Sequence, residues 1–205
     1  MTAKRGAGAL LLTPGAGSDR NHPSLVAIEA AVSPLPVARV DFPYRRAGRR
    51  APDRADKLVA CVVEEAEALV ASVAIAPKRL VLGGRSMGGR ICSMAVAAGL
   101  PAAGLVLISY PLHPPGKPDR LRDDHLDYVP APMLFLQGTR DPFATPELLG
   151  RVAARLGPRA ELRWVDGGDH SFRVPGPRID AASIGAGLAS PAAEFARRHA
   201  TIGLD

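Results

Sequence analysis

The chain has 205 residues, of which 47% are hydrophobic and 22% charged, and this balance fits one globular domain spanning residues 1–205. A chain of this length buries about 70% of the surface that its unfolded form exposes, so one core needs no metal or disulfide staples. Aromatic residues make up only 4%, and the 21 glycines and 20 prolines stay below the share typical of disorder. Composition therefore excludes collagen-like, coiled-coil and disordered chains.

Cysteine usage and hydropathy favour a cytoplasmic location. Cys61 and Cys92 are the only cysteines, and their spacing fits neither a metal site nor a disulfide framework. Residues Met1 to Thr13 superficially resemble a signal peptide, but the apolar run is too short and lacks a convincing cleavage site. The sequence holds no stretch near the roughly 20 apolar residues needed to cross a bilayer, so we expect no membrane partner.

Short apolar runs alternate with helical patterns along the whole chain. The predicted strands are Ala9–Thr13, Val37–Phe42, Arg79–Gly83, Gly104–Ser109, Met133–Gln137 and Ala160–Val165. The predicted helices are Ser24–Ala31, Ala55–Val73, Met87–Ala98, Pro146–Leu156 and Ala181–His199. A longer, proline-rich connector, Tyr110 to Ala131, predicts an ordered surface loop that is too short to form a cap domain.

The strand–helix alternation predicts a three-layer α/β fold. We expect about six mainly parallel strands, helices on both faces, and no cap domain. In such a sheet the functional loops collect at the carboxyl ends of the strands. The loops after the first, third, fifth and sixth predicted strands are therefore the places to look for a site.

The loop after the third strand carries the strongest motif. Gly84-Arg-Ser86-Met-Gly88 fits Gly-x-Ser-x-Gly and lies between an apolar strand and an Ala-rich helix. The sharp turn strains the serine backbone, and side chains at the flanking glycines would collide with the neighbouring chain. A chance match in a Gly-rich turn is the alternative, but the strand–turn–helix context favours Ser86 as an exposed nucleophile.

An acid and a histidine follow the serine at the ends of later strands. Asp141 comes directly after the fifth predicted strand, and His170 follows the sixth. A serine hydroxyl needs a histidine to take its proton and an acid to hold the imidazole. We therefore predict that Ser86, Asp141 and His170 are the catalytic residues.

Simpler roles exist for several of these side chains. Asp141 precedes Pro142 and also suits a turn that caps the helix starting near Pro146. Asp166 and Asp169 compete for the acid role, although their closeness to His170 in sequence favours turn formation. We expect the remaining histidines in surface or loop positions: His22, His113, His125 and His199. The histidines show no metal-ligand spacing, so we expect neither a metal nor a cofactor.

The loop after the first strand, Leu11 to Ser18, is glycine-rich and predicts an oxyanion hole. We expect the amides of Ala16 and Met87 to be its two donors, with Gly15 letting the backbone approach the substrate. An ordinary turn or a phosphate cradle is the alternative. The Walker pattern is absent, and the dinucleotide fingerprint lacks its third glycine.

The net charge of +6 is carried mainly by arginine, since only four of the 26 basic residues are lysine. Five arginines crowd the segment after the second strand: Arg45, Arg46, Arg49, Arg50 and Arg54. A solvated loop is the simplest interpretation of this segment. The functional alternative is a site that binds an anionic group or a nucleic acid. Tyr44 and Phe42 are the only aromatics there, so a stacking platform for single strands has little support.

Taken together, these motifs resemble the α/β-hydrolase superfamily, in particular its small dienelactone-hydrolase-like branch that includes testis-expressed-protein-like and chromatin-complex-subunit-like hydrolases. The stretches that carry the resemblance are Thr13-Pro-Gly-Ala-Gly17, Phe42-Pro-Tyr-Arg-Arg-Ala-Gly48, Gly84-Arg-Ser-Met-Gly-Gly-Arg90, Tyr110-Pro-Leu-His-Pro-Pro-Gly-Lys117, Gln137-Gly-Thr-Arg-Asp141 and Gly167-Gly-Asp-His-Ser-Phe172. The resemblance implies a sheet without two leading antiparallel strands and a triad of Ser86, Asp141 and His170. One departure is Pro14, which stands where the family usually has a histidine that orders the oxyanion loop.

The sequence therefore predicts a metal-free serine hydrolase that cleaves carboxylic ester-type bonds through an acyl-enzyme. We expect a small-molecule acyl substrate that contacts Gly15, Tyr110 and His113, and a monomer or homodimer. Two alternatives stay open: a hydrolase-fold interaction protein with an idle triad, and, less favoured, a basic nucleic-acid-binding module.

Overall fold

The computed structural model describes residues 8–176 and 179–200. The other residues of the predicted domain, including the start of the Met1 to Thr13 segment, lie outside the described residues. The strands are β1 (Ala9–Thr13), β2 (Val37–Arg39), β3 (Leu80–Arg85), β4 (Gly104–Ile108), β5 (Met133–Gly138) and β6 (Ala160–Val165). They form one parallel sheet in the order β2-β1-β3-β4-β5-β6.

Helices cover both faces of this sheet. They are α1 (Pro23–Val32), α2 (Pro43–Arg46), α3 (Ala55–Val73), α4 (Met87–Ala97), α5 (Pro146–Leu156) and α6 (Ala181–Ala200). Single 3₁₀ turns occur at Pro77–Arg79, Asp124–Tyr128 and Gly157–Arg159. The predicted three-layer α/β fold is confirmed, and the described residues form no additional cap domain.

The core consists of two layers because successive strand residues point to opposite faces. Leu11 and Leu82 pack toward α3, α4 and α5, whereas Leu10 and Val81 pack toward α1 and α6. All residues of β1 and β4 are buried, as expected of parallel strands covered on both sides. Each leucine buried in this way stabilises the fold by about 1.5–3 kcal/mol relative to an exposed one.

The second strand is shorter than predicted. Only Val37–Arg39 pairs with β1, and Phe42 and Tyr44 are instead buried on the α3 side of the sheet. Pro43 explains this difference, because its fixed φ suits the first position of a helix and begins α2 there.

The connector Tyr110 to Ala131 is only partly the surface loop that the sequence predicts. Residues 115–121 are exposed, but Leu112, Leu126 and Val129 are buried against the sheet and α4. The connector thus contributes to the core on the α4 side. No helix among the described residues is long and apolar enough to cross a membrane.

Candidate active site

Three predicted side chains meet at the carboxyl edge of the sheet. His170 Nε2 lies 2.9 Å from Ser86 Oγ, and His170 Nδ1 lies 2.7 Å from Asp141 Oδ2. An imidazole that carries its proton on Nδ1 donates to Asp141 and accepts a hydrogen bond from the Ser86 hydroxyl. The loops after β3, β5 and β6 therefore bring together residues that are up to 84 positions apart in sequence.

Ser86 occupies a strained turn between β3 and α4. Its φ and ψ are 51° and −119°, a conformation that residues with side chains rarely adopt. A β-carbon on Gly84 would lie 2.3 Å from Thr13 Oγ1, and one on Gly88 would lie 2.5 Å from the Pro14 carbonyl oxygen. The predicted need for glycine on both sides of Ser86 is confirmed, because β1 passes directly against this turn.

Asp141 is held by several donors. Its side chain has no exposed surface, whereas that of His170 is 20% exposed. The Oδ2 atom accepts from Gln137 Nε2 at 2.6 Å as well as from His170, and Oδ1 accepts from the Phe143 amide at 2.9 Å. These bonds compensate for burying a carboxylate and fix its orientation. Asp141 does not cap α5, since Thr145 takes that position.

The two competing acids make other contacts. Asp169 Oδ1 accepts from the amides of Ser171 and Arg173 at 2.7 and 2.9 Å. Asp166 is exposed and accepts from Thr139 Oγ1 at 3.2 Å. Asp169 therefore acts as a turn former, whereas Asp166 links the ends of β5 and β6.

The predicted oxyanion loop lies next to Ser86. A β-carbon built on Gly15 would be 3.5 Å from Ser86 Cβ, so this backbone runs directly past the serine. The loop is fixed by the Tyr44 hydroxyl, which donates to the Ala16 carbonyl oxygen at 2.8 Å. Met87 begins α4, and its amide consequently has no partner within the helix.

Tyr110 and His113 do not occupy the positions expected of substrate contacts. Tyr110 is completely buried, and its hydroxyl donates to the Arg122 carbonyl oxygen at 3.0 Å. His113 is 2% exposed, and its Nδ1 lies 2.9 Å from the Pro114 carbonyl oxygen. Both side chains are buried because the start of the connector folds into the core, so their burial does not support the predicted substrate contacts.

A second serine–histidine contact lies about two turns further along α4. Ser93 Oγ is 2.8 Å from His125 Nε2, but Ser93 is completely buried and also donates to the Arg90 carbonyl oxygen. Burial of the ring, together with a smaller effect of the nearby charge of Arg90, lowers the pKa of His125 to about 4. Ser93 has no access to solvent, so this pair is suited to joining α4 to the connector.

A cavity of about 590 Å³ opens beside the His170 loop, on the side of α1 and α6. Ser171, which directly follows His170, forms part of its wall. The other main lining residues are His22, Arg173, Val174, Ile179 and Ile184. The connector packs on the opposite face of the sheet, beside α4.

Acidic side chains neutralise most of the arginine cluster. Arg46 pairs with Glu65, and Arg49 pairs with Asp53 at 2.8 Å. Tyr44 is completely buried and cannot stack on a base. This segment is thus a solvated helix and turn stabilised by ion pairs.

The two cysteines are unsuited to act as nucleophiles. Cys61 and Cys92 are both free and buried, and burial raises the pKa of Cys92 to about 12. Within residues 8–176 and 179–200, His, Cys, Asp and Glu side chains form no group that could hold a metal ion.

Sequence and structure comparisons define the class of protein. The profile of the alpha/beta hydrolase domain family matches residues 6–191, so the chain belongs to that family. Its fold is similar to that of an alpha-beta serine hydrolase homologue from Coxiella burnetii, with 14% identity, coverage of 95% and 86% of the two chains, and a TM-score of 0.68.

Two further solved structures, one of them a dienelactone hydrolase, have a similar fold. A dienelactone hydrolase from Anabaena variabilis has 18% identity, coverage of 96% and 86%, and a TM-score of 0.67. A serine hydrolase without a lid from Xanthomonas campestris has 19% identity, coverage of 95% and 85%, and a TM-score of 0.66. The fold and the serine–histidine arrangement together indicate hydrolase activity.

Proposed function

We propose that this protein is a serine hydrolase that cleaves carboxylic ester-type bonds. The observation that carries the proposal is the position of the His170 imidazole, within hydrogen-bond distance of both Ser86 and Asp141. This is the arrangement in which a histidine activates a serine hydroxyl while an acid fixes its tautomer.

The first half of the reaction forms an acyl-enzyme. Ser86 Oγ attacks the substrate carbonyl carbon as His170 Nε2 takes the hydroxyl proton. The amides of Ala16 and Met87 hold the resulting oxyanion, and each such donor is worth about 2.7–4 kcal/mol of transition-state stabilisation. Collapse of the tetrahedral intermediate breaks the ester bond, and His170 returns the proton to the leaving alcohol.

The second half releases the acid. His170 takes a proton from water, which attacks the acyl carbon, and the bond to Ser86 Oγ breaks with return of that proton to the serine. Throughout both halves Asp141 stays ionised and stabilises the imidazolium.

The cavity next to Ser171 supports a small acyl substrate. Its wall combines the apolar side chains of Val174, Ile179 and Ile184 with the polar groups of His22 and Arg173. A volume of about 590 Å³ is within the range of small-molecule sites. We assign this cavity to the acyl group.

Steady-state kinetics with p-nitrophenyl esters and acyl thioesters of increasing chain length tests the proposal. We expect turnover by the wild type and loss of at least about 10³-fold in Ser86→Ala. The matched control is Ser93→Ala on the same helix, which should keep activity within about threefold. Equal rates for wild type and Ser86→Ala would instead favour the idle interaction protein.

A further inference from the structure

Two donors converge on the backbone carbonyl oxygen of His170. Ser109 Oγ donates to it at 2.9 Å and Arg85 Nη2 donates at 3.0 Å, so both lone pairs of this oxygen are used. The same Arg85 nitrogen also donates to Ser171 Oγ at 3.1 Å. His170 is therefore held at its backbone as well as at its ring.

Arg85 loses part of its hydration in its position, which is unfavourable for a charged side chain. Strand alternation puts it on the same face as Val81, under the loop that carries His170. Burial lowers the pKa of Arg85, while the charges of Asp141 and Asp169 raise it, and the guanidinium stays protonated. Within the part of the chain that the structure describes, Arg85 forms no ion pair, and its side-chain hydrogen bonds all go to the His170 loop.

The position of Ser109 is also unfavourable for a residue of its type. It is completely buried directly after β4, and its φ of 50° is unusual for a residue other than glycine. This backbone conformation accompanies the hydrogen bond from Ser109 Oγ to a carbonyl oxygen that lies 61 positions away in sequence.

We propose that Arg85 and Ser109 are positioning residues that clamp the His170 backbone so that its imidazole reaches Ser86 and Asp141 at once. The proposal rests on the proposed function and names two residues that act through His170. Since His170 follows the edge strand β6, its loop is anchored by sheet pairing on one side only. Displacement of a catalytic group by about 1 Å can cost about 10²-fold in rate.

The test compares Arg85→Met with Arg140→Met. Arg140 lies on the same rim of the sheet with an exposed side chain, and within the described residues its side chain makes no hydrogen bond or ion pair. We expect Arg85→Met to lower kcat by about 10–100-fold with KM within about threefold, because the clamp aligns the base and does not bind substrate. Arg140→Met should leave kcat within about twofold, and Ser109→Ala should fall between the two.

Chemical rescue separates positioning from a loss of folding. Ethylguanidinium added to Arg85→Ala should restore part of kcat by re-forming the bonds to the His170 loop, whereas it should not raise the activity of Ser86→Ala. Wild-type kcat in Arg85→Met, or an Arg85→Ala enzyme that is folded by circular dichroism but not rescued, would overturn the clamp while leaving the proposed function standing.

Proton NMR keeps the clamp testable if the wild type hydrolyses none of the substrates. The strongly deshielded proton shared by His170 Nδ1 and Asp141 should be present in wild type and Arg140→Met and lost in Arg85→Met. Its persistence in Arg85→Met would contradict the clamp, independently of any failure of the proposed function.

Discussion

The carboxylate of Asp141 accepts hydrogen bonds from His170, Gln137 and Phe143 while its side chain has no exposed surface. These donors fix the orientation of the acid before substrate arrives, which is the condition for holding His170 in one tautomer.

We predict that Asp141→Asn lowers kcat by about 10³–10⁴-fold, because an amide in this position favours the wrong imidazole tautomer. Asp166→Asn is the control: it removes a neighbouring acid that accepts a hydrogen bond from Thr139 and should change kcat less than about twofold. If the larger loss occurred in Asp166→Asn, the acid role would belong to that residue instead.

Some residues of the candidate site could be predicted from the sequence, and others could not. Ser86, Asp141 and His170 were identifiable because each follows a strand at the same edge of a parallel sheet. The burial of Tyr110 and His113 was not predicted, since a proline-rich segment has no periodicity to indicate which side chains pack inward. Gln137 belongs to a motif that the sequence shows, but its hydrogen bond to Asp141 could not be predicted from that motif.

At the level of elements, the turn between β3 and α4 depends on close packing against β1. A β-carbon on Gly88 would lie within 2.7 Å of three atoms of Thr13 and Pro14, whereas one on Gly150 in α5 would meet nothing within 4 Å.

Gly88→Ala should therefore destabilise the fold by about 1–3 kcal/mol and lower activity, because α4 must move away from β1. Gly150→Ala should stabilise it by about 0.5–1 kcal/mol, since alanine is the better helix former. Chemical denaturation of both variants gives the two free energies of unfolding. Equal free energies of unfolding for the two variants would mean that Gly88 is not required for packing against β1.

The contact between α4 and the connector has a pH dependence. The pKa of His125 is about 4 in the folded protein and 6.5 in the unfolded chain, chiefly because the ring is buried. Between these values the unfolded state binds more protons, so the free energy of unfolding falls as the pH drops from 6.5 to 4.

We predict that His125→Gln flattens this acid-side loss of stability relative to the wild type, measured by urea titrations across that range. His22 and His199 also have lowered pKa values from burial, so the difference between the two proteins isolates the part due to His125. An identical slope for both proteins would contradict the buried, neutral state of His125.

Element boundaries were harder to predict than element types. The predicted second strand continues to Phe42, three residues beyond the end of β2, because Val40 and Phe42 are apolar. Only Pro43 marks the start of α2. The short helix and the 3₁₀ turns are set by local proline and tertiary contacts, which a pattern of alternating apolar runs does not contain.

At the scale of the whole molecule, the chain has a net charge of +6, but most arginines of the cluster after β2 are ion-paired. Arg45, Arg46, Arg49 and Arg54 each lie within 4 Å of a carboxylate: Asp19, Glu65, Asp53 and Asp56 respectively. Paired arginines release few counterions from a polyanion, which makes tight binding to nucleic acid unfavourable.

We predict that short single-stranded and duplex DNA bind no more tightly than about 10⁻⁵ M at near-physiological salt, within the nonspecific range. Replacing Arg45, Arg46, Arg49 and Arg50 by Gln should change this affinity less than about threefold. Submicromolar, salt-sensitive binding that disappears in the quadruple variant would restore the nucleic-acid alternative.

The most direct test of the central claim is the site of covalent modification by a fluorophosphonate probe. Trypsin cleavage at Arg85 and Arg90 releases residues 86–90, in which Ser86 is the only hydroxyl or thiol group, whereas Ser93 falls in a different peptide. We predict that the adduct mass appears on residues 86–90 and is absent from Ser86→Ala. An adduct on the peptide that contains Ser93, or no adduct while a control serine hydrolase is labelled, would contradict the account.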